Sequence, residues 1–191
     1  MRQEKKYLLR SFEILQVEKK LMKLGFRIKH LPNIVNNIYF DDRDNKSAIE
    51  NIEGDNIRSK FRLRWYNEEN KFKLEEKIKY SSSGKKNVTD LNSNNVYDAI
   101  LEIKSLLPSY FPVVQNKYHR KYFEFEELRV TIDTRLIFNK PFEDRVIYSD
   151  KNIMEIKYET EIDNLLKEVF EFTPQLTKFS KYLEGLNSVA N

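Results

Sequence analysis

Alternation of charged and apolar side chains dominates this chain. In Arg58-Ser59-Lys60-Phe61-Arg62-Leu63-Arg64-Trp65, every second residue is Arg58, Lys60, Arg62 and Arg64, and the intervening ones are Ser59, Phe61, Leu63 and Trp65. Successive strand residues point to opposite faces, so this run predicts a strand with one basic face and one apolar face. The next run sets Lys73, Glu75, Lys77 and Lys79 against Phe72, Leu74, Glu76 and Ile78. Arg2, Glu4 and Lys6 alternate near the start. Arg129, Thr131 and Asp133 alternate with Val130 and Ile132, and Glu155 and Lys157 with Met154, Ile156 and Tyr158. Lys117, His119 and Lys121 alternate less cleanly with Tyr118, Arg120 and Tyr122. Strands are predicted over about 2–8, 36–41, 58–66, 71–80, 117–126, 128–134, 145–148 and 153–158.

Helical signals are fewer. Ser11 to Leu24 has Ile14, Leu15, Val17, Leu21 and Met22 on one side and Gly25 as a stop. A second helix is predicted over about Asn95 to Leu107, halted by Pro108, and a third over about Glu161 to Phe172. A short terminal helix is predicted near Lys178 to Leu186. Ser81 to Lys86 and the Asn-rich run from Asn92 to Asn95 read as a loop or lid and a helix start. About eight strands with helices between them give an α+β fold with a largely antiparallel sheet.

The chain has 191 residues and is 40% hydrophobic, with 11 Tyr and 13 Phe, enough for one domain over 1–191 with a real core. Charged residues make up 34%, above the roughly 25% of an average domain. The net charge is only +4, so an anion-binding site needs local concentration of basic residues. With no cysteine, disulfides, thiolate zinc sites and a cysteine nucleophile are excluded. No apolar run approaches the roughly 18 residues of a membrane span, and no signal segment opens the chain, so a cytoplasmic location is expected.

Each strand alone reads as half of a sheet with a solvated charged face. Several together allow a barrel with its polar faces inward and its apolar faces outward, under the helices. Four or more Arg and Lys enclosed there repel one another at low effective dielectric and call for a polyanion. Glu4, Glu75, Asp133 and Glu155 would neutralise part of that charge or hold a divalent cation, with Asp133 read as the structural partner of an arginine. The interleaved basic and aromatic residues from Lys60 to Tyr66 suit a single-stranded nucleic-acid-binding module as well, although they fall on opposite faces.

Eight segments in order carry a resemblance: Arg2-x-Glu4-x-Lys6-Tyr7, Asn37-Ile38-Tyr39-Phe40-Asp41, Arg58-x-Lys60-x-Arg62-x-Arg64-x-Tyr66, Leu74-Glu75-x-Lys77, Tyr118-x-Arg120, Arg129-Val130-Thr131-Ile132-Asp133, Met154-Glu155-Ile156-Lys157 and Lys178-Phe179-Ser180-Lys181-Tyr182. The chain resembles the VTC-type polyphosphate polymerase domain of the triphosphate tunnel metalloenzymes, the CYTH-like group. The resemblance implies an eight-stranded antiparallel β-barrel forming a basic tunnel. It implies that Arg62, Arg64, Lys77, Arg120, Lys178 and Lys181 bind triphosphate or a growing polyphosphate chain, helped by Lys6, Lys60 and Lys157. Tyr118 and Ser180 would donate hydrogen bonds to phosphate oxygens, and Glu155 would ligate Mn or Mg. The implied activity is polyphosphate polymerase-like phosphoryl transfer from a nucleoside triphosphate, with a separate membrane partner protein. An inorganic triphosphatase and a non-catalytic polyphosphate-binding domain are the alternatives. Arg2 stands where the group's opening motif has Glu, and either Lys85 or Lys86 would be the flexible lysine after the Ser-Gly stretch.

Overall fold

In the computed structural model, which describes residues 2–80, 83–159 and 175–190, the alternating runs are strands. In chain order they are β1 (Arg2–Leu9), β2 (Arg27–Ile28), β3 (Asn33–Asp41), β4 (Ile57–Tyr66), β5 (Lys73–Tyr80), β6 (Ser83–Asp90), β7 (Phe111–Phe125), β8 (Leu128–Asn139), β9 (Ile147–Tyr148), β10 (Asn152–Glu159) and β11 (Gln175–Thr177). The described helices are α1 (Ser11–Lys23), α2 (Lys46–Glu53), α3 (Val96–Leu106) and α4 (Lys181–Ala190). The chain divides into two compact units.

The first unit comprises Met1–Ile34, Tyr118–Leu136 and Tyr148–Phe179. Its strands follow the order β11-β1-β10-β8-β7, with β2 on β7. The antiparallel β1–β10 ladder sets Lys6 opposite Glu155 and Glu4 opposite Lys157, and β10–β8 sets Glu155 opposite Thr131. The other face carries Leu9, Val130, Ile132, Met154, Ile156 and Tyr158, which pack with Val17 and Leu21 of α1. The Glu13 carboxylate accepts the Arg10 backbone N–H (2.7 Å) at the start of α1. Gly25, at φ +91°, turns the chain out of the helix in a conformation that L side chains resist.

The second unit comprises Val35–Lys117, Ile137–Ile147 and Ser180–Asn191. Its order is β7-β3-β4-β5-β6. Here Ile38, Phe40, Leu63, Trp65, Phe72 and Leu74 lie beneath Ala99, Ile100 and Ile103 of α3. Asn95 caps that helix: its side-chain oxygen accepts the Asp98 backbone N–H (2.9 Å) and its amide donates to the Asp98 carboxylate (2.7 Å). In each unit the apolar face therefore lies under a helix, as the alternation predicts.

The structure corrects several expectations. The described residues hold eleven strands rather than eight, and their pairing runs as an open path from β11 to β6, not as a closed barrel. Alternation assigns each residue a face, but it does not count ladders or close them. The predicted loop or lid after Tyr80 is, from Ser83 onward, strand β6, paired with β5 from Tyr80↔Ser83 to Lys73↔Asp90. A full ladder outweighs the poor strand propensity of Ser-Gly-Lys-Lys-Asn, and charged residues suit the last strand of a ladder. Helix α2 and strands β2 and β11 carry too little periodicity to be predicted. The terminal helix begins at Lys181, leaving Lys178 and Ser180 in the segment before it. The predicted helix over Glu161 to Phe172 lies outside the described residues. Among the described residues, no helix is long and apolar enough to cross a membrane.

Candidate functional site

The strand register of the second unit builds a basic face across four strands, β3 to β6. Opposite one another lie Tyr39, Arg62 and Glu75; Asn37 and Arg64; and Lys60, Lys77 and Lys86. Nε and Nη2 of Arg62 both donate to Oε2 of Glu75, at 2.8 and 2.6 Å. Nη1 of Arg64 lies 3.6 Å from the same oxygen, and Nζ of Lys86 donates to Oε1 at 2.6 Å. Three cations thus share one carboxylate. Glu75 is only 3% exposed, and Arg64 5%. Burial alone would raise the Glu75 pKa, but Arg62 and Arg64 outweigh it and hold the group at about 2. Burial lowers the Lys86 pKa, against the pull of Glu75. Arg64 is fixed from its other side: its Nε donates to Asn37 (2.7 Å), whose amide donates to Asn116 (2.8 Å). The Asn116 amide nitrogen is buried without a hydrogen-bond partner among the described residues.

Around this face stand groups that the alternation did not mark. The Tyr39 hydroxyl accepts from Nη1 of Arg62 (3.4 Å), and its ring stacks on Tyr182 at 5.0 Å. Burial would raise the Tyr39 pKa, yet Arg62, Arg64 and Lys181 together bring it down to about 8. The Tyr182 hydroxyl donates to the buried Asp41 carboxylate. Burial and Asp41 push the Tyr182 pKa far above its usual range. Asp41 also accepts the Ser47 and Ala48 backbone N–H groups at the start of α2, at 2.9 and 3.0 Å, so one carboxylate ties β3, α2 and α4 together. Ser180 leads into α4 and accepts from Nζ of Lys60 at 3.2 Å. Helix α4 packs closely enough that a Cβ at Gly185 would fall 2.8 Å from Phe138 and Val114.

The first unit arranges its charges differently. Arg120 donates from Nε and Nη2 to the two oxygens of Asp133, at 2.6 and 2.7 Å, and Asp133 is 1% exposed. This is the pairing expected for Asp133. Burial opposes the Arg120 charge, but Asp133 dominates and raises its pKa well above the usual value. The guanidinium also lies over the Tyr118 ring, 5.2 Å from its centre. Glu155 is 2.9 Å from Nζ of Lys157. Burial would raise its pKa, but Lys157, Lys6 and Arg120 hold the carboxyl well below its usual range. Nζ of Lys6 donates to the Phe179 carbonyl (3.2 Å) and lies 3.3 Å from Glu4. Oγ1 of Thr131, opposite Glu155 in the ladder, is buried without a partner among the described residues. Lys178 is exposed.

The predicted residues therefore fall into two sets. Arg62, Arg64, Lys60, Lys77, Ser180 and Lys181 belong to the second unit, and Arg120, Tyr118, Lys6, Lys157, Lys178 and Glu155 to the first. Sequence reasoning missed Tyr39, Asn37, Asn116 and the choice of Lys86. Tyr39 and Asn37 fall on the same face as Arg62 and Arg64 once β3 is registered on β4, a pairing that alternation within one strand cannot show. Lys86 and Glu75 follow likewise from the β5–β6 ladder.

Among the described residues, no three His, Asp or Glu side chains come together as a metal cage. Glu155 is ionised and offers a single carboxylate. That fits Mg or Mn held mainly by phosphate oxygens and water, with one protein oxygen. Of the β4 rings, Trp65 is buried in the cluster beneath α3 and Phe61 packs partly buried against it, on the face opposite Arg62 and Arg64.

The family model of the VTC domain matches residues 1–190. None of the curated proteins compared with the chain matches it. Among solved structures, a Pyrococcus horikoshii protein is 12% identical, covering 99% of both chains with a TM-score of 0.64. A Hippeastrum protein named as an adenylyl cyclase, and described as having a dominant triphosphatase activity, is 14% identical. The match covers 99% of this chain and 97% of that one, with a TM-score of 0.61. A Vibrio parahaemolyticus protein named as an adenylate cyclase is 13% identical over 87% of this chain and 80% of its own, at a TM-score of 0.56.

Proposed function

The chain belongs to the VTC domain family, and on that premise we propose that it is a CYTH-like triphosphate tunnel protein that binds the phosphate chain of triphosphate or polyphosphate and transfers phosphoryl groups on it. The donor is a nucleoside triphosphate and the acceptor the end of a polyphosphate chain. The observation behind this reading is the basic face of β4 to β6, where, among the described residues, Arg62, Arg64 and Lys86 share the one carboxylate of Glu75.

Buried guanidinium groups grip phosphate oxygens in pairs, and the low local dielectric strengthens each contact. Phosphoryl transfer asks chiefly for alignment and neutralisation of charge on the moving group, and needs no protein nucleophile. Arg62 and Arg64 would supply that charge in the second unit, with Lys60, Lys77, Lys181 and Ser180 binding further phosphate oxygens. In the first unit, Tyr118, Lys6, Lys157 and Lys178 would bind phosphate oxygens as well, whereas Arg120, expected among them, already has its Nε–Nη2 edge matched by Asp133. Glu155 would take one position on a Mn or Mg ion, which supplies charge neutralisation between phosphates when bound. A separate membrane partner protein belongs to the same proposal.

Water as acceptor gives a triphosphatase instead, the activity named for the Hippeastrum neighbour. Incubation with ATP and Mn separates these outcomes. Long-chain polyphosphate supports the polymerase, free phosphate alone supports the triphosphatase, and tripolyphosphate binding without either product supports a binding domain. Arg62→Ala with Arg64→Ala should abolish tripolyphosphate binding in a protein that still melts cooperatively. Unchanged binding by that double variant removes both residues from the site.

A further inference from the structure

We infer that Glu75 is an internal anion that competes with phosphate for Arg62 and Lys86, and thereby sets how tightly a phosphate chain is held. This rests on the reading that the basic face of β4 binds such chains. The Nε–Nη2 edge of a guanidinium is one of its two edges that can take two oxygens of one phosphoryl group. In Arg62 that edge is turned onto Oε2 of Glu75, at 2.8 and 2.6 Å. The other oxygen holds Nζ of Lys86 at 2.6 Å. The carboxylate thus fills the place on these two cations that phosphate oxygens would take.

Glu75 cannot withdraw into solvent, because it is held within β5, between β4 and β6, and is 3% exposed. With its pKa held at about 2 by Arg62 and Arg64, it is ionised at neutral pH, where a phosphate chain is a polyanion. A phosphoryl group arriving at Arg62 must therefore replace the carboxylate or lie beside it, and like charges repel strongly where water is scarce. The arrangement also serves the empty site. Arg62, Arg64 and Lys86 would repel one another without a counter-ion, and Glu75 keeps them ordered. A carboxylate that orders the cations yet opposes the ligand gives a hold loose enough for a chain to advance or leave.

The test compares the full wild-type chain with Glu75→Gln, which keeps the shape and removes the charge. Tripolyphosphate binding is measured by calorimetry at several salt concentrations, beside thermal melts. The expected result is about tenfold tighter binding by Glu75→Gln at low salt, the factor that corresponds to one pKa unit of coupling, shrinking as salt rises. A cooperatively melting Glu75→Gln protein with equal or weaker affinity overturns the inference. Should that variant not fold, Glu75→Asp draws the carboxylate back from Arg62 and Lys86 while keeping the fold's counter-ion. It should bind a few-fold tighter, and equal or weaker binding again overturns the inference. Wild-type protein with no affinity for tripolyphosphate overturns the proposed function and this inference together. Wild-type binding with no gain in the variants overturns this inference alone.

Discussion

The two units use the same ingredients to opposite ends. In the first, Arg120 has a carboxylate of its own: Asp133 meets it oxygen for nitrogen, at 2.6 and 2.7 Å, deep in the fold. In the second, Arg62, Arg64 and Lys86 divide the single carboxylate of Glu75. A matched buried pair has little charge to spare for a ligand and fails badly when one half is removed. Among the described residues, three positive groups meet one negative in this cluster, so losing one cation leaves the carboxylate still satisfied. Stoichiometry of partners, more than the number of basic residues, separates an arginine that holds a fold from one that can hold a ligand.

The sharpest test of that contrast is a pair of truncations followed by denaturant unfolding. Asp133→Ala takes the paired carboxylate from the largely buried Arg120 guanidinium and should cost about 3–5 kcal/mol, enough to unfold much of a typical domain. Arg62→Ala leaves Glu75 with Arg64 and Lys86 and should cost about 1–2 kcal/mol. Equal losses, or a larger loss from Arg62→Ala, would erase the distinction between a closed pair and a shared one.

Much of this was legible before any coordinates. The strands that carry Arg62, Arg64, Glu155 and Asp133, and the burial of their apolar faces under α1 and α3, follow from period-two alternation. So does the reading of Asp133 as an arginine's partner. What alternation could not show is which strand lies beside which. The Tyr39–Arg62–Glu75 row depends on two ladders and three separated stretches of chain, and no local pattern encodes it. Strand β6 was lost for the same reason, because its residues are weak strand formers held by pairing with β5. The barrel expectation failed at the same step. The predicted terminal helix takes in Lys178 and Ser180, but the helix begins only at Lys181, because local periodicity does not fix a helix start to within a few residues.

A smaller effect is expected where the second unit anchors α4. Tyr182→Phe removes the hydroxyl that donates to Asp41 but keeps the ring stacked on Tyr39. Asp41 retains the Ser47 and Ala48 N–H groups, so its buried charge stays solvated by the backbone. The loss should be about 1–2 kcal/mol by thermal or denaturant melting, well short of that for Asp133→Ala. A loss as large as that of Asp133→Ala would mean that the phenol is Asp41's principal partner and that α2's backbone groups contribute little.

The finest probe of the comparison costs no stability at all, because it reads the cluster's charge directly through Tyr39. Burial should push a phenol above its ordinary value near 10, yet the nearby Arg62, Arg64 and Lys181 bring this one to about 8. A folded-state pKa below the unfolded one means that the ionised form is favoured in the fold. The stabilisation it brings is absent below about pH 8, grows as the pH rises through that value, and is complete above the unfolded pKa near 10. Tyrosinate absorbance should therefore show one phenol of the 11 titrating near pH 8. Tyr39→Phe should delete that step, and Arg62→Ala should move it upward, since the strongest cationic neighbour is gone. Saturating tripolyphosphate should move it upward too, because a bound polyanion cancels the same field. Asp133→Asn, in the other unit, should leave it where it is. No titration below pH 9, or a step that survives Tyr39→Phe, would show that Glu75 has already neutralised the cluster, making it as closed as the Arg120–Asp133 pair.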